Sequence, residues 1–259
     1  MPVKLLFIGD IIGKPGREAL SRELHRIVDR HRVDLVIANG ENAAGGFGLT
    51  AETAQELFKC GVQMITSGNH IWDKKDSLEY IKREERIVRP ANYPEGAPGR
   101  GLTVRPAAGG GEVAVINLAG QLYLGTGLSP FRLVDRLVDE AAEMAETIVV
   151  DLHAEATSEK VAMGHYLDGR VTAVLGTHTH VQTSDARVLP GGTAYMTDVG
   201  MTGPRDSVIG VSTDVILRRF TTELPQQFEV AEGPVRLDAA LIASDGGRAT
   251  AIEAVDVIL

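Results

Sequence analysis

Cysteine is almost absent from this chain of 259 residues, because Cys60 is its only thiol. A single cysteine cannot form an internal disulfide, and it cannot supply the thiolates of a cysteine-based zinc site. Long apolar runs are also missing near the start, where the longest is Leu5-Leu6-Phe7-Ile8. That run is too short for the core of a signal peptide or for a membrane span, so we expect a cytoplasmic protein without a membrane partner.

Positive charge is scarce as well, since 26 lysines and arginines face 35 aspartates and glutamates, for a formal net charge of −9. Stable binding of duplex nucleic acid depends on basic surface, and this balance argues against it. A small anionic substrate held by a local positive site is compatible with an acidic chain. The length and the apolar share of 44% suit a globular protein, and we expect a single domain over residues 1–259.

What the chain does contain is a regular alternation of short apolar runs and helical patterns. The run from Leu5 predicts the first strand, and apolar residues spaced along 16–31 predict the first helix. Further helices are predicted over 51–60, 76–82, 130–147 and 158–167, and further strands over 33–38, 62–66, 102–104, 113–118, 148–152 and 171–175. After about residue 186, short alternating segments with glycine turns predict antiparallel β-structure. This order of elements predicts a layered α/β domain.

Polar residues follow five of the predicted strands, at the point where each strand ends. Open α/β sheets place their sites outside the carboxyl ends of parallel strands, so we expect these ends to converge on one edge of the sheet. The converging side chains are two carboxylates, two amides and four imidazoles: Asp10, Glu41, Asn42, Asn69, His70, His153, His178 and His180. The last two histidines lie one residue apart, and alternate residues of a strand point to the same side.

This collection of carboxylates and imidazoles predicts a metal centre. Burying such groups without partners is costly, and binding of cations offsets that cost. A single structural zinc would use about four ligands, often cysteines, whereas this set is larger and holds no thiolate. Two cations that share a carboxylate fit better, and the mixture of oxygen and nitrogen ligands suits iron or manganese, and zinc less selectively.

The order of the motifs GD, GEN, GNH, H and THTH resembles that of the calcineurin-like metallophosphoesterases. The segments NGENAAGGFGLT, SGNHIWD and GTHTHVQT are similar to the YmdB-like branch of that group, which is known for hydrolysing 2′,3′-cyclic nucleotides and related phosphodiesters. The similarity extends from Lys4 to at least Pro204. Ile12 replaces a histidine of the wider group and Glu41 replaces an aspartate; the YmdB-like branch shares both changes, and there an asparagine after the glutamate takes a metal position.

The resemblance implies a fold, a cofactor and a role for each site residue. The fold is a layered sandwich of mixed sheets flanked by helices, and the cofactor is a pair of transition-metal ions, with iron favoured and manganese or zinc as alternatives. The implied ligands of the first ion are Asp10, Glu41, Asn42 and His180, and those of the second are Glu41, Asn69, His153 and His178. Glu41 would therefore bridge the two ions. The implied proton donor is His70, and Asp73 lies three residues on, in a position to orient its ring.

The leading functional prediction is a phosphodiesterase acting on cyclic nucleotides, 2′,3′-cyclic ones above all, or on similar small diesters. A metal-activated hydroxide would attack phosphorus while His70 protonates the leaving oxygen. A phosphomonoesterase using the same site is an alternative, because the ligands alone do not separate the two kinds of ester. A third hypothesis is a metal-stabilised regulatory or RNA-associated protein with incidental turnover, against which a general acid argues. A homo-oligomer is compatible with the sequence, but no residue demonstrates one.

Overall fold

The computed structural model describes residues 2–125 and 127–259. Over these residues the strands are β1 (Val3–Ile8), β2 (Asp10–Ile11), β3 (Leu35–Asn39), β4 (Met64–Thr66), β5 (Leu102–Pro106), β6 (Glu112–Ala119), β7 (Thr147–His153), β8 (Ala173–Thr177), β9 (Arg187–Val188), β10 (Ala194–Met196), β11 (Met201–Pro204), β12 (Val235–Asp245) and β13 (Arg248–Ile258). The helices are α1 (Gly13–His31), α2 (Ala51–Cys60), α3 (Leu78–Arg83), α4 (Pro130–Ala142), α5 (Thr157–Tyr166) and α6 (Thr213–Thr222). A short 3₁₀ turn over Lys75–Ser77 leads into α3.

The strands form two mixed sheets. The strand order of the first sheet is β2-β11-β12-β1-β3-β4, with β13 also paired to β12, and that of the second is β5-β6-β7-β8-β10-β9. Strands β1, β3 and β4 run parallel in the first sheet, and β6, β7 and β8 run parallel in the second. Antiparallel strands complete each sheet, β12 beside β1 in the first and β5 beside β6 in the second.

Side chains on both faces of β1 are buried from Leu5 to Ile8, which is why this part of the strand is a continuous apolar run. Phe7 belongs to the core between the sheets, together with Val115 of β6. Leu6 points to the opposite face and packs in a second core with Leu24 of α1. A third core, with Val134 of α4, covers the outer face of the second sheet. The layers are therefore helix, sheet, sheet and helix, and the predicted layered α/β fold of mixed sheets is confirmed.

The bounds of α2 follow from its end residues. The Thr50 side chain accepts a hydrogen bond from the backbone N–H of Thr53 at 3.1 Å, and the Thr53 hydroxyl accepts one from the backbone N–H of Thr50 at 3.0 Å. These reciprocal bonds satisfy donors that a helix start leaves free. Gly61 ends the helix with a φ of 110°, a conformation that glycine adopts without steric cost. The predicted helix over 51–60 is confirmed.

Two predicted features differ from the structure. Helix α4 ends at Ala142, before the predicted residue 147, because Thr147 already pairs with Val113 in the sheet and the chain must leave the helix earlier to reach it. Helix α6 lies in the region where only antiparallel strands were predicted. Ile216 is its one buried residue, and its other large apolar side chains, Leu217 and Phe220, are exposed, so packing against the core does not explain this helix. The β12–β13 hairpin in the same region is antiparallel as predicted.

The five polar strand ends converge, but the prediction that they lie on one edge of a single sheet is wrong. The ends of β1, β3 and β4 belong to the first sheet, whereas those of β7 and β8 belong to the second. The parallel strands at the centre of each sheet end in the same region of the molecule, because the two sheets pack against each other. Among the helices of residues 2–125 and 127–259, none combines the length and apolar character that a bilayer span requires.

Candidate metal centre

One group of potential ligand atoms surrounds the Nε2 atom of His153. This atom lies 3.0 Å from Oε1 of Glu41, 3.0 Å from Oδ1 of Asn69 and 3.0 Å from Nδ1 of His178. One ring nitrogen carries at most one proton and cannot satisfy three neighbours of this kind. Glu41, His153 and His178 each offer a ligand atom within 4.8 Å of the others. A cation placed among these atoms resolves the excess of lone pairs.

Residues behind His153 determine which of its nitrogens faces this group. Its Nδ1 atom lies 2.9 Å from the hydroxyl of Thr177, and that hydroxyl donates to Oδ1 of Asp151 at 2.7 Å. The hydroxyl proton is thus used, so Thr177 accepts the proton of Nδ1, and Nε2 is the nitrogen that would ligate a cation. Such an outer partner, which sets the tautomer, is usual behind metal-ligating histidines.

A second group of potential ligands surrounds the side-chain amide of Asn42. Its nitrogen lies 3.4 Å from Oδ1 of Asp10, 3.2 Å from Oε1 of Glu41 and 3.3 Å from Nε2 of His180. The Oδ1 atom of Asn42 is buried and has no hydrogen-bond partner among the described residues. Rotating the amide by half a turn exchanges these two atoms and brings the unpartnered oxygen to the acceptor-rich side, where a cation is the fitting partner.

Glu41 belongs to both groups, since its Oε1 atom is the one that approaches His153 and Asn42. Its side chain is fully buried, and its other oxygen accepts the backbone N–H of His70 at 2.9 Å. Gly68 borders the same place, where a β-carbon would overlap the ring of His153 and the Glu41 carboxylate. Glycine at this position therefore lets the β4 end approach the ligands closely.

The carboxylates and imidazoles of the cluster shift one another's pKa in different directions. Burial opposes ionisation of Asp10 and of Glu41, but the facing histidines outweigh it and hold the pKa of both carboxyls below their ordinary values. Burial also lowers the pKa of His180, yet the Asp10 carboxylate outweighs it and raises that pKa to about 9. Burial lowers the pKa of His178 to about 4, so its ring is neutral near pH 7. Ionised carboxylates and a neutral imidazole are the forms that ligate metals.

All eight predicted site residues thus meet in one cluster. Asp10 links the two groups a second time, because its Oδ2 atom accepts the backbone N–H of His178 at 3.2 Å. Three observations indicate that these residues fit two cations. They are the converging lone pairs at His153, the unpartnered oxygen of Asn42 and the shared oxygen of Glu41. The assignment of each residue to a particular ion stays a prediction.

His70 lies at the border of the cluster and carries no contact to a ligand atom through its ring. Its Nδ1 atom is 2.8 Å from Oδ2 of Asp73, so the predicted contact between these two residues is confirmed. The ring is also edge-on to Phe47, with 4.9 Å between ring centroids. Asp73 and Phe47 together define the orientation of the imidazole beside the cavity.

Asp198 and Lys160 support the His178-Thr179-His180 segment, and neither was predicted as a site residue from the sequence. Oδ2 of Asp198 accepts both the backbone N–H of Thr179, at 3.1 Å, and its hydroxyl, at 2.8 Å. The same oxygen lies 2.6 Å from Nζ of Lys160, and each of these two side chains is only 1% exposed. A signal existed for Lys160, because helical spacing places it on the same face as the buried residues Met163 and Gly164.

Glu155 is a further site residue that was not predicted. Its Oε2 atom lies 3.2 Å from Nε2 of His178, while Nδ1 of that ring faces His153. A carboxylate on the far nitrogen orients a ligating imidazole and strengthens it as a ligand. The sequence signal was its place two residues after His153, at the end of β7.

Comparison with known proteins decides the family. The profile of the family described as YmdB-like protein matches residues 6–255. The chain belongs to this YmdB-like family. A curated relative from Bacillus subtilis (strain 168) is named 2′,3′-cyclic-nucleotide 2′-phosphodiesterase and is 49% identical over 243 residues, which cover 94% of this chain and 92% of that protein. The resemblance inferred from the motifs is therefore confirmed.

Solved structures support the same placement in the YmdB-like family. A crystal structure of a hypothetical protein from Thermus thermophilus matches with a TM-score of 0.93 and 46% identity, over 99% of each chain. The structure of a novel phosphatase from Mycoplasma pneumoniae also matches with a TM-score of 0.93, at 34% identity, over 100% of this chain and 94% of that one. Both sheets and the helices that flank them are thus shared with these proteins.

Proposed function

We propose that this chain is a phosphodiesterase that hydrolyses 2′,3′-cyclic nucleotides, or related small phosphodiesters, with the help of two transition-metal ions. The observation that carries the proposal is that one oxygen of Glu41 belongs to two groups of ligand atoms beside a cavity that His70 also lines. The named activity of the Bacillus subtilis relative, at 49% identity, supports the same substrate class.

The proposed ligands of the first ion are Asp10, Glu41, Asn42 and His180, and those of the second are Glu41, Asn69, His153 and His178. Their mixture of oxygen and nitrogen atoms favours iron, with manganese or zinc as alternatives. When bound, such a pair of ions polarises the phosphate oxygens and acidifies a water molecule.

The chain's own residues supply the proton that the leaving ribose oxygen needs. The Nδ1 atom of His70 is engaged by Asp73, so Nε2 is the nitrogen that holds the transferable proton. The backbone N–H of His70 donates to Glu41, which ties the backbone of this residue to the ligand cluster. A proton donor held in this way acts in the transition state without first having to find its orientation.

Metal content and substrate range together test the proposal. We expect the purified, metal-reconstituted protein to bind about two equivalents of metal per chain, as a two-metal site requires. It should hydrolyse 2′,3′-cAMP and bis-p-nitrophenyl phosphate in preference to the monoester p-nitrophenyl phosphate. Elemental analysis and steady-state assays measure the two quantities. Because His180 is a proposed ligand of one ion only, His180→Ala should lower the metal content toward one equivalent.

His165→Ala is the matched control, because His165 is exposed on α5 and lies outside the cluster. It should keep the parent's metal content and activity. Saturation at one equivalent in excess metal would contradict the two-ion site. Turnover of the monoester alone would replace the proposal by a phosphomonoesterase, and metal binding without any turnover would replace it by a metal-stabilised binding protein.

A further inference from the structure

A cavity of about 460 Å³ adjoins the metal centre and has two chemically different halves. The polar half contains Glu41, His70 and the two histidines of the last strand end. The other half is lined mainly by apolar side chains, together with one cation and one carboxylate: Phe47, Ile216, Arg219, Phe220, Phe228 and Glu229. A volume of this size is typical of a small-molecule site, and an apolar wall with few polar groups is its usual lining.

The apolar half holds a pair of aromatic rings next to the proposed proton donor. Phe47 and Phe228 are stacked, with 5.8 Å between ring centroids and 25° between ring planes. Phe47 in turn contacts the ring of His70 edge-on. A ligand whose phosphate lies at the metal centre therefore meets an aromatic surface as its next neighbour.

Arg219 adds hydrogen-bond donors to this aromatic surface. Its guanidinium carbon lies 4.8 Å from the centroid of the Phe228 ring. In the part of the chain that the structure describes, no carboxylate lies within ion-pair distance of this guanidinium. The guanidinium thus lies over the face of the Phe228 ring. The fixed donors of an arginine placed in this way match the carbonyl and ring-nitrogen acceptors of a nucleobase.

We propose that the apolar half of the cavity is a nucleobase subsite, in which the base stacks on Phe228 and receives hydrogen bonds from Arg219. The inference rests on the proposed function for the position of the phosphate, and it adds the part of the nucleotide that the metal centre does not recognise. Stacking on phenylalanine tolerates every base, because each base has a π-face. The subsite therefore selects nucleotides over diesters that lack a base.

The test compares 2′,3′-cAMP with methyl ribofuranoside 2′,3′-cyclic phosphate, which has the same reacting group and no base. We expect Phe228→Ala to lower the ratio of kcat/KM for these two substrates by about 5- to 100-fold, the value of one lost base stack. The change should appear mainly as a higher KM for the cyclic nucleotide, and Phe228→Tyr should restore the ratio. Titration of the metal-loaded protein with adenosine should show the same weakening without any turnover.

Leu217→Ala is the matched control, because Leu217 is 54% exposed on α6, the helix that carries Arg219, and is not among the residues that line the cavity. It should leave both substrates unchanged. An equal loss for both substrates in Phe228→Ala would assign Phe228 to the packing of α6, and an unchanged ratio would place the base elsewhere; either result overturns the subsite. If the parent hydrolyses no diester, the proposed function fails, and the adenosine titration alone decides whether the subsite exists.

Discussion

We expect His70→Ala to lower turnover of a 2′,3′-cyclic nucleotide by roughly 10²- to 10⁴-fold, the usual contribution of a positioned general acid. Metal content should stay at the parent's value. The ring of His70 contacts Asp73 and Phe47 rather than a proposed ligand, and alanine retains the backbone N–H that donates to Glu41. Elemental analysis alongside the assay therefore separates chemistry from metal binding.

The size of the defect should depend on the leaving group. A ribose alkoxide is strongly basic and needs a proton as it departs, whereas p-nitrophenolate is stable without one. The loss in His70→Ala should accordingly shrink for bis-p-nitrophenyl phosphate. His25→Ala provides the control, because His25 is exposed on α1, where it lies beside Asp29, and is not one of the candidate ligands. Loss of metal, or equal defects for both diesters, would make His70 a ligand or a substrate-positioning residue instead.

The second large effect is expected from Asp198→Ala, which removes one partner of the buried pair with Lys160. Removing one partner from a buried ion pair leaves an uncompensated charge and costs about 3–5 kcal/mol in the free energy of unfolding. Asp198 also accepts two hydrogen bonds from Thr179. The residues on either side, His178 and His180, have backbone φ values of 102° and 64°, which residues other than glycine seldom adopt. Without the hydrogen bonds from Thr179 to Asp198, we expect the His178-Thr179-His180 segment to change its backbone conformation and to bind metal more weakly.

Asp135→Ala is the matched control, because it breaks an ion pair of similar length at the surface. Arg170 and Asp135 lie 2.7 Å apart, but their side chains are 36% and 48% exposed. Such a pair contributes about 0–1 kcal/mol. Urea denaturation of the metal-free proteins measures both losses, and metal titration of the folded variants measures the effect on the segment. If Asp198→Ala lost no more stability than Asp135→Ala, the buried pair would not hold the strand end.

Local patterns in the sequence predicted much of the fold and the composition of the candidate metal centre. The buried strands are apolar runs, and each candidate ligand motif lies at or just after the end of one of them, as His153 ends β7 and His178 follows β8. The end of α2 was predictable because Gly61 supplies a backbone conformation that few other residues adopt. These features depend on residues a few positions apart, so the sequence alone determined the set of candidate site residues, the layered fold class and the family resemblance.

Only the tertiary structure decided how these parts meet. The ligands come from two sheets, and the tautomer of His153 depends on Thr177, which is 24 residues away. Lys160 and Asp198 are 38 residues apart, and neither reveals the other in the sequence. Helix α6, in a region predicted as antiparallel strands, brings Arg219 to the cavity. Local propensity sets the period of an element, whereas distances between distant residues depend on the packing of both sheets, to which side chains along the whole chain contribute.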